Sequence, residues 1–139
     1  MQVMYERCCG LDIHKKSIVA CRVIPGLEGE WRREACTFDT TNRDLLQLAA
    51  WLKEEKVTHV ALESTGIYWK PVYNLLEGQF EVLVVNAQCL RAVPGRKTDV
   101  KDAEWIAELL QHGLLQLTRH RASRVRERTR VVQQYRSSK

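Results

Sequence analysis

Two aspartates three residues apart, Asp99 and Asp102, lie in the stretch Lys97-Thr98-Asp99-Val100-Lys101-Asp102-Ala103. On a helix that spacing sets both carboxylates on one face, one turn apart. Two more acids close apolar runs far upstream: Asp12 after Cys8-Cys9-Gly10-Leu11, and Glu63 after Thr58-His59-Val60-Ala61-Leu62. Carboxylates brought together repel and raise one another's pKa. A hard divalent cation such as Mg²⁺ or Mn²⁺ removes that conflict, because it prefers carboxylate oxygen and retained water. Two such ions, about 3.5–4 Å apart, stabilise both the attacking and the leaving oxygen in phosphodiester cleavage. The four acids are therefore candidate catalytic residues and metal ligands, with Asp12 the candidate bridge on the most rigid strand.

Each acid has a plainer role when taken alone. Asp12 can end a strand before a turn, and Glu63 can belong to the turn Ser64-Thr65-Gly66. Asp99 can cap a helix, with Asp102 in its first turn answering the helix dipole. Against that, Asp99, Asp102 or Ala103, Ile106 and Leu110 share one stripe. The acids then extend a buried face, where uncompensated charge is costly. Lys97 and Lys101 flank the pair and either touch a phosphate or stay solvated; the same choice applies to Lys15 beside His14 and Lys16. Tyr68-Trp69 can stack on a base or, at helical spacing with Val72 and Leu76, pack into a core.

The elements that must position these residues follow in order. Residues 7–12 read as a strand, Ser17 to Ile24 as a β-branched second, and Glu30 to Phe38 as a third, joined by short turns as an antiparallel meander. Thr41 with Asp44 resembles a capping box before an amphipathic helix from Asn42 to Lys56. Residues 58–62 and 80–85 are short continuous apolar runs, as in strands covered on both faces. A helix from Tyr68 to Leu76 lies between them, with Pro71 in its first turn. Strand, helix, strand implies parallel pairing through a crossover. Thr98 to His112 is the last helix, stopped by Gly113. The order β-β-β-α-β-α-β-α is that of a ribonuclease-H-like α/β fold with a mixed sheet. In such a fold, acids at strand ends and at a nearby helix start converge.

The chain has 139 residues, enough for one domain, read here as residues 1–115. Its net charge of +5 is uneven: residues 1–115 carry −2, while residues 116–139 carry +7. Arg119, Arg121, Arg124, Arg126, Arg128 and Arg130 lie in that basic tail, helical or disordered, which suits phosphate contact without sequence readout. No apolar run of about 18 residues crosses a membrane, and Met1 to Arg7 is no signal peptide, so the cytoplasm is the expected location. Five cysteines, with no Cys-x-x-Cys spacing, read as small buried residues in a reducing compartment.

Three ordered blocks carry a resemblance. Gly10-Leu11-Asp12-Ile13-His14-Lys15, Glu63-Ser64-Thr65-Gly66-Ile67-Tyr68-Trp69 and Lys97-Thr98-Asp99-Val100-Lys101-Asp102-Ala103 look like the signature of the DEDD transposases of insertion sequences, the recombinases related to pilin-gene invertases. The resemblance implies a RuvC-like domain that binds Mg²⁺ through Asp12, Glu63, Asp99 and Asp102 and acts in DNA transposition. It also implies a structured guide RNA and a homo-oligomeric assembly. Family members continue through a helical arm into a C-terminal serine domain, whereas this chain stops at Lys139. The expectation is a Mg-dependent DNA transposase or endonuclease domain, truncated before the serine domain and incomplete alone. The alternative is a non-cleaving RNA- or DNA-binding module of the same recombinase assembly. An actin-like ATPase reading of Gly10-Leu11-Asp12 needs a second similar domain, which this length does not supply.

Overall fold

A computed structural model describes residues 2–64, 66–86 and 102–117. The predicted meander is present: β1 (Cys8–Ile13), β2 (Ser17–Pro25) and β3 (Trp31–Asp39) pair antiparallel in sequence. Next come α1 (Asn42–Glu54), β4 (His59–Glu63), α2 (Trp69–Leu76), β5 (Glu81–Val85), α3 (Asp102–Gln111) and a 3₁₀ turn at Leu114–Leu117. β4 pairs parallel to β1 and β5 parallel to β4, giving one sheet in the order β3-β2-β1-β4-β5. β1 is thus the central strand, hydrogen-bonded on both sides.

Alternation of side chains divides the sheet into two buried faces. Cys9 and Leu11 of β1, Ile18 and Ala20 of β2, Val60 and Leu62 of β4, and Val84 of β5 face one side. There they meet Leu45, Leu48, Ala49 and Leu52 of α1 and Val72, Tyr73 and Leu76 of α2. The opposite parity, Cys8, Cys21, Val23, Ala61, Leu83 and Val85, meets Ala103, Ile106, Ala107 and Leu110 of α3. Burying an aliphatic side chain on such a face contributes about 1.5–3 kcal/mol.

α1 starts where its cap residues predict. Thr41 Oγ1 accepts from the Asp44 N–H at 3.2 Å, but the Asp44 carboxylate reaches back to the N–H of Asp39 at 2.8 Å. The reciprocal half of the box is therefore shifted two residues outward. α1 ends at Glu54, two residues before the expected Lys56. Lys56 adopts φ 57, a left-handed conformation that cannot continue the helix. The arginine-rich tail lies outside the described residues.

α3 lies unusually close to β1 because both surfaces are small. Gly10 faces it, and a Cβ there would fall inside van der Waals contact of the Ala103 carbonyl oxygen and the Ala107 nitrogen, with Ile106 Cβ at 3.0 Å. Cys8 Sγ lies 3.8 Å from the Ala107 carbonyl oxygen. A stripe of Cys8, Gly10 and Ala61 against Ala103 and Ala107 thus brings the helix down onto the strand.

A carboxylate-bearing end of the central strands

Asp12 and Glu63 lie at the C-terminal ends of the two central parallel strands. β1 and β4 run in register through Leu11 opposite Leu62. The register carried one residue further sets Asp12 beside Glu63, on strands about 4.8 Å apart. Asp12 shares parity with Cys8 and Gly10, and Glu63 shares parity with Ala61, so both acids lie on the α3 face. Asp102 opens the described part of α3, next to Ala103, whose carbonyl lies over Gly10. Asp12 and Glu63 thus end neighbouring strands on the face that α3 covers, and Asp102 opens the described part of that helix.

Their surroundings differ. Asp12 is half-buried, and its Oδ2 lies 3.1 Å from His14 Nε2. The position of His14 two residues after Asp12, on the same side of the chain, is the sequence signal that links them. Glu63 is half-buried, and the next residue, Ser64, donates its N–H to the Val85 carbonyl at 2.9 Å. That bond ties the end of β4 to β5. Asp102 is exposed, so the buried stripe begins at Ala103 and the cost expected of burying this acid does not arise. Lys15 is exposed in the β1–β2 turn, where its carbonyl accepts from Thr40 Oγ1 at 3.2 Å. Asp99, Lys97 and Lys101 lie outside the described residues, as do Arg119, Arg121, Arg124, Arg126, Arg128 and Arg130.

Among the described residues, no three His, Cys, Asp or Glu side chains form a cluster able to hold a metal ion. The donor types nonetheless suit a hard cation. Asp12, Glu63 and Asp102 offer carboxylate oxygen only, and the small-residue contact at Gly10 keeps α3 near both strand ends. The cysteines are a different case. Burial pushes the Cys8 thiol up to about 12 and Cys21 up to about 11, while Cys9 is also driven well upward. These thiols stay neutral and buried, which leaves them as packing rather than soft metal ligands.

The Tyr68-Trp69 pair is split by the fold. Trp69 is half-buried; its indole N–H donates to the Gly66 carbonyl at 3.1 Å, and its ring meets Tyr73 edge-on at 6.0 Å. Tyr68 precedes α2 and is exposed, beside exposed Ile67.

Comparison with known folds defines the class first. The RuvC structure from Thermus thermophilus superposes with a TM-score of 0.54 at 12% identity, covering 81% of this chain and 98% of that one. The architecture is thus a ribonuclease-H-like, RuvC-like mixed sheet. The structure of a fowlpox virus resolvase with substrate Holliday junction DNA matches with a TM-score of 0.45 at 18% identity. That match covers 66% of this chain and 65% of the resolvase. The family model described as a transposase of the IS110 DEDD type matches residues 9–138, and the chain belongs to that family. The matched range runs through the arginine-rich segment. No curated protein matches the chain. Among the described residues, no helix is long and apolar enough to cross a membrane.

Proposed function

We propose that this chain is the N-terminal metal-binding catalytic domain of a DNA transposase, acting in phosphodiester cleavage or strand transfer. The observation that carries the reading is the register of β1 and β4. It sets Asp12 beside Glu63 on the α3 face, where Asp102 opens the helix. Membership of a transposase family and a RuvC-like fold support it.

Asp12, Glu63 and Asp102, with Asp99, would hold Mg²⁺ or Mn²⁺, as a pair of ions. Bound there, divalent ions supply charge stabilisation at the attacking and leaving oxygens of the phosphodiester. The chain's own part is positioning. Asp12 sits on a strand bonded on both sides, so its backbone cannot drift. Ser64, bonded to β5, does the same for Glu63. Lys15, Lys97, Lys101 and the arginines at 119, 121, 124, 126, 128 and 130 would meet DNA phosphates, an attraction that weakens with salt. A structured guide RNA and a homo-oligomeric assembly complete the reading.

The test is cleavage of branched and duplex DNA with Mg²⁺ or Mn²⁺, comparing the chain with Asp12→Asn and Asp102→Asn. Loss of at least about a hundredfold in rate is expected, the usual scale for removing one group that stabilises transition-state charge. Equal rates in all three would leave the domain as a non-cleaving nucleic-acid-binding module.

A further inference from the structure

The loop after Glu63 holds two apolar side chains out in water. Ile67 is 66% exposed and Tyr68 43% exposed. Single exposed apolar residues need no explanation. Here two are adjacent, and the backbone around them is fixed. Ser64 N–H is bonded to Val85, the Trp69 indole to the Gly66 carbonyl, and Lys70 N–H to the Ile67 carbonyl at 3.3 Å. Gly66, just before Ile67, takes φ +67, a left-handed conformation that glycine adopts readily. Behind the pair, Trp69 is anchored on Tyr73, and Val72, Tyr73 and Leu76 are buried. The chain thus turns one aromatic of Tyr68-Trp69 inward as an anchor and leaves the other outside.

We propose that Ile67 and Tyr68 form a stacking platform for an unpaired DNA base, close to the phosphodiester that the carboxylates engage. This rests on the proposed function for the identity of the partner. The distance is right: four residues of chain place Ile67 within about 14 Å of Glu63. A stacked strand advances about 3.4 Å per nucleotide, so the platform lies within roughly four nucleotides of the acids. The chemistry fits too. A tyrosine face accepts any base, which makes the grip tolerant of sequence, and an aliphatic neighbour acts as a wedge against the next base pair. Exposed Lys70 follows in the chain and supplies a cation for the same strand's backbone.

The experiment uses the 139-residue chain, in EDTA so that no strand is cut. Binding is measured by anisotropy on a fully paired duplex and on one with a three-base unpaired bubble carrying 2-aminopurine. The chain should prefer the bubble and quench the 2-aminopurine emission. Tyr68→Ala should weaken bubble binding roughly tenfold to fiftyfold and lose the quench, while leaving the paired duplex unchanged. Tyr68→Phe should behave as the parent chain, and Ile67→Ala should fall between. Both positions are exposed, so unchanged thermal unfolding is the expected control. Equal affinity of the parent chain for bubble and duplex overturns the platform, as does a bubble preference that survives Tyr68→Ala. The outcome is separable from catalysis: Asp12→Asn should retain the bubble preference. Loss of that preference in Tyr68→Ala supports the platform whatever Asp12→Asn does to cleavage.

Discussion

Two charged clusters in this domain are built on opposite plans. On the α1 side, Arg22 is 6% exposed and surrounded by partners of opposite sign. Its Nε lies 2.5 Å from Glu34 Oε1, its Nη1 lies 2.6 Å from the Trp51 carbonyl and 3.2 Å from Glu54, and its guanidinium stacks 4.2 Å from the Trp51 ring. On the α3 side, the ends of β1 and β4 and the start of α3 carry three acids, Asp12, Glu63 and Asp102. The first cluster satisfies a cation that the fold has buried. The second carries carboxylates of one sign, half-buried at Asp12 and Glu63 and exposed at Asp102. Folding alone accounts for the first plan, because removing one partner of a buried pair is costly. Stability and chemistry are therefore separable in this molecule, residue by residue.

The sharpest break is Arg22→Leu. It removes three hydrogen bonds, the ring contact and the compensation of Glu34. A loss of about 3 kcal/mol is expected in urea unfolding, at the lower end for a broken buried pair because Glu34 retains some solvent. Glu54→Gln should cost under about 1 kcal/mol, since that partner's side chain is 65% exposed. Asp12→Asn, measured the same way, should leave stability unchanged or raise it by up to about 1 kcal/mol. A large loss in Asp12→Asn would make that acid a structural residue and remove the contrast.

Gly10→Ala joins the two clusters' logic to the backbone. The added methyl meets the backbone of Ala103 and Ala107, which cannot rotate away. α3 must lift, at about 1–3 kcal/mol, the usual cost of overpacking. Asp102 moves with it, so DNA cleavage should fall more than stability alone explains. Unfolding midpoints and cleavage rates on one preparation separate the two effects. Unchanged cleavage would mean that the position of α3 does not matter to the acids.

Much of this was legible in the sequence, for identifiable reasons. β-branched and aliphatic runs ending in Asp12 and Glu63 are long enough to read as strands. The helix between β4 and β5 implies their parallel pairing, while the register of the two acids comes from the pairing of β4 with β1. The role of Arg22 was less visible. Its parity with Ile18, Ala20 and Ile24 marks it as inward-facing, and Glu34 stands opposite it in the β2–β3 register, but Glu54 lies 32 residues away and depends on how α1 crosses the sheet. The exposure of Asp102 was not legible either. A helical stripe gives the direction of a side chain but not where the covering layer stops, and here it stops at Ala103. The sequence also marked Tyr68 and Trp69 as equals. Only the turn at Gly66 separates them.

The smallest expected effect tests whether either cluster controls mild acid stability. His59 lies at the other end of β4, stacked 3.9 Å from the Tyr5 ring, with Nδ1 2.7 Å from Thr58 Oγ1. Burial pushes its pKa below the ordinary value, and Glu81 only partly opposes this. In the window between that depressed value and about 6.5, the unfolded chain binds more protons than the folded one. Stability therefore rises with pH across the window and is lost as pH falls below about 6.5. Glu34 does not titrate there. Burial works to raise its pKa, but hydrogen bonds from Arg22 and Arg32 outweigh that and hold it below the ordinary carboxylate value. Its contribution is lost only at lower pH. His59→Phe keeps a ring against Tyr5 and removes the proton. Urea midpoints between pH 7.5 and 5.5 should fall in the parent chain and stay flatter in His59→Phe. Identical slopes would assign the mild-acid loss to groups other than His59.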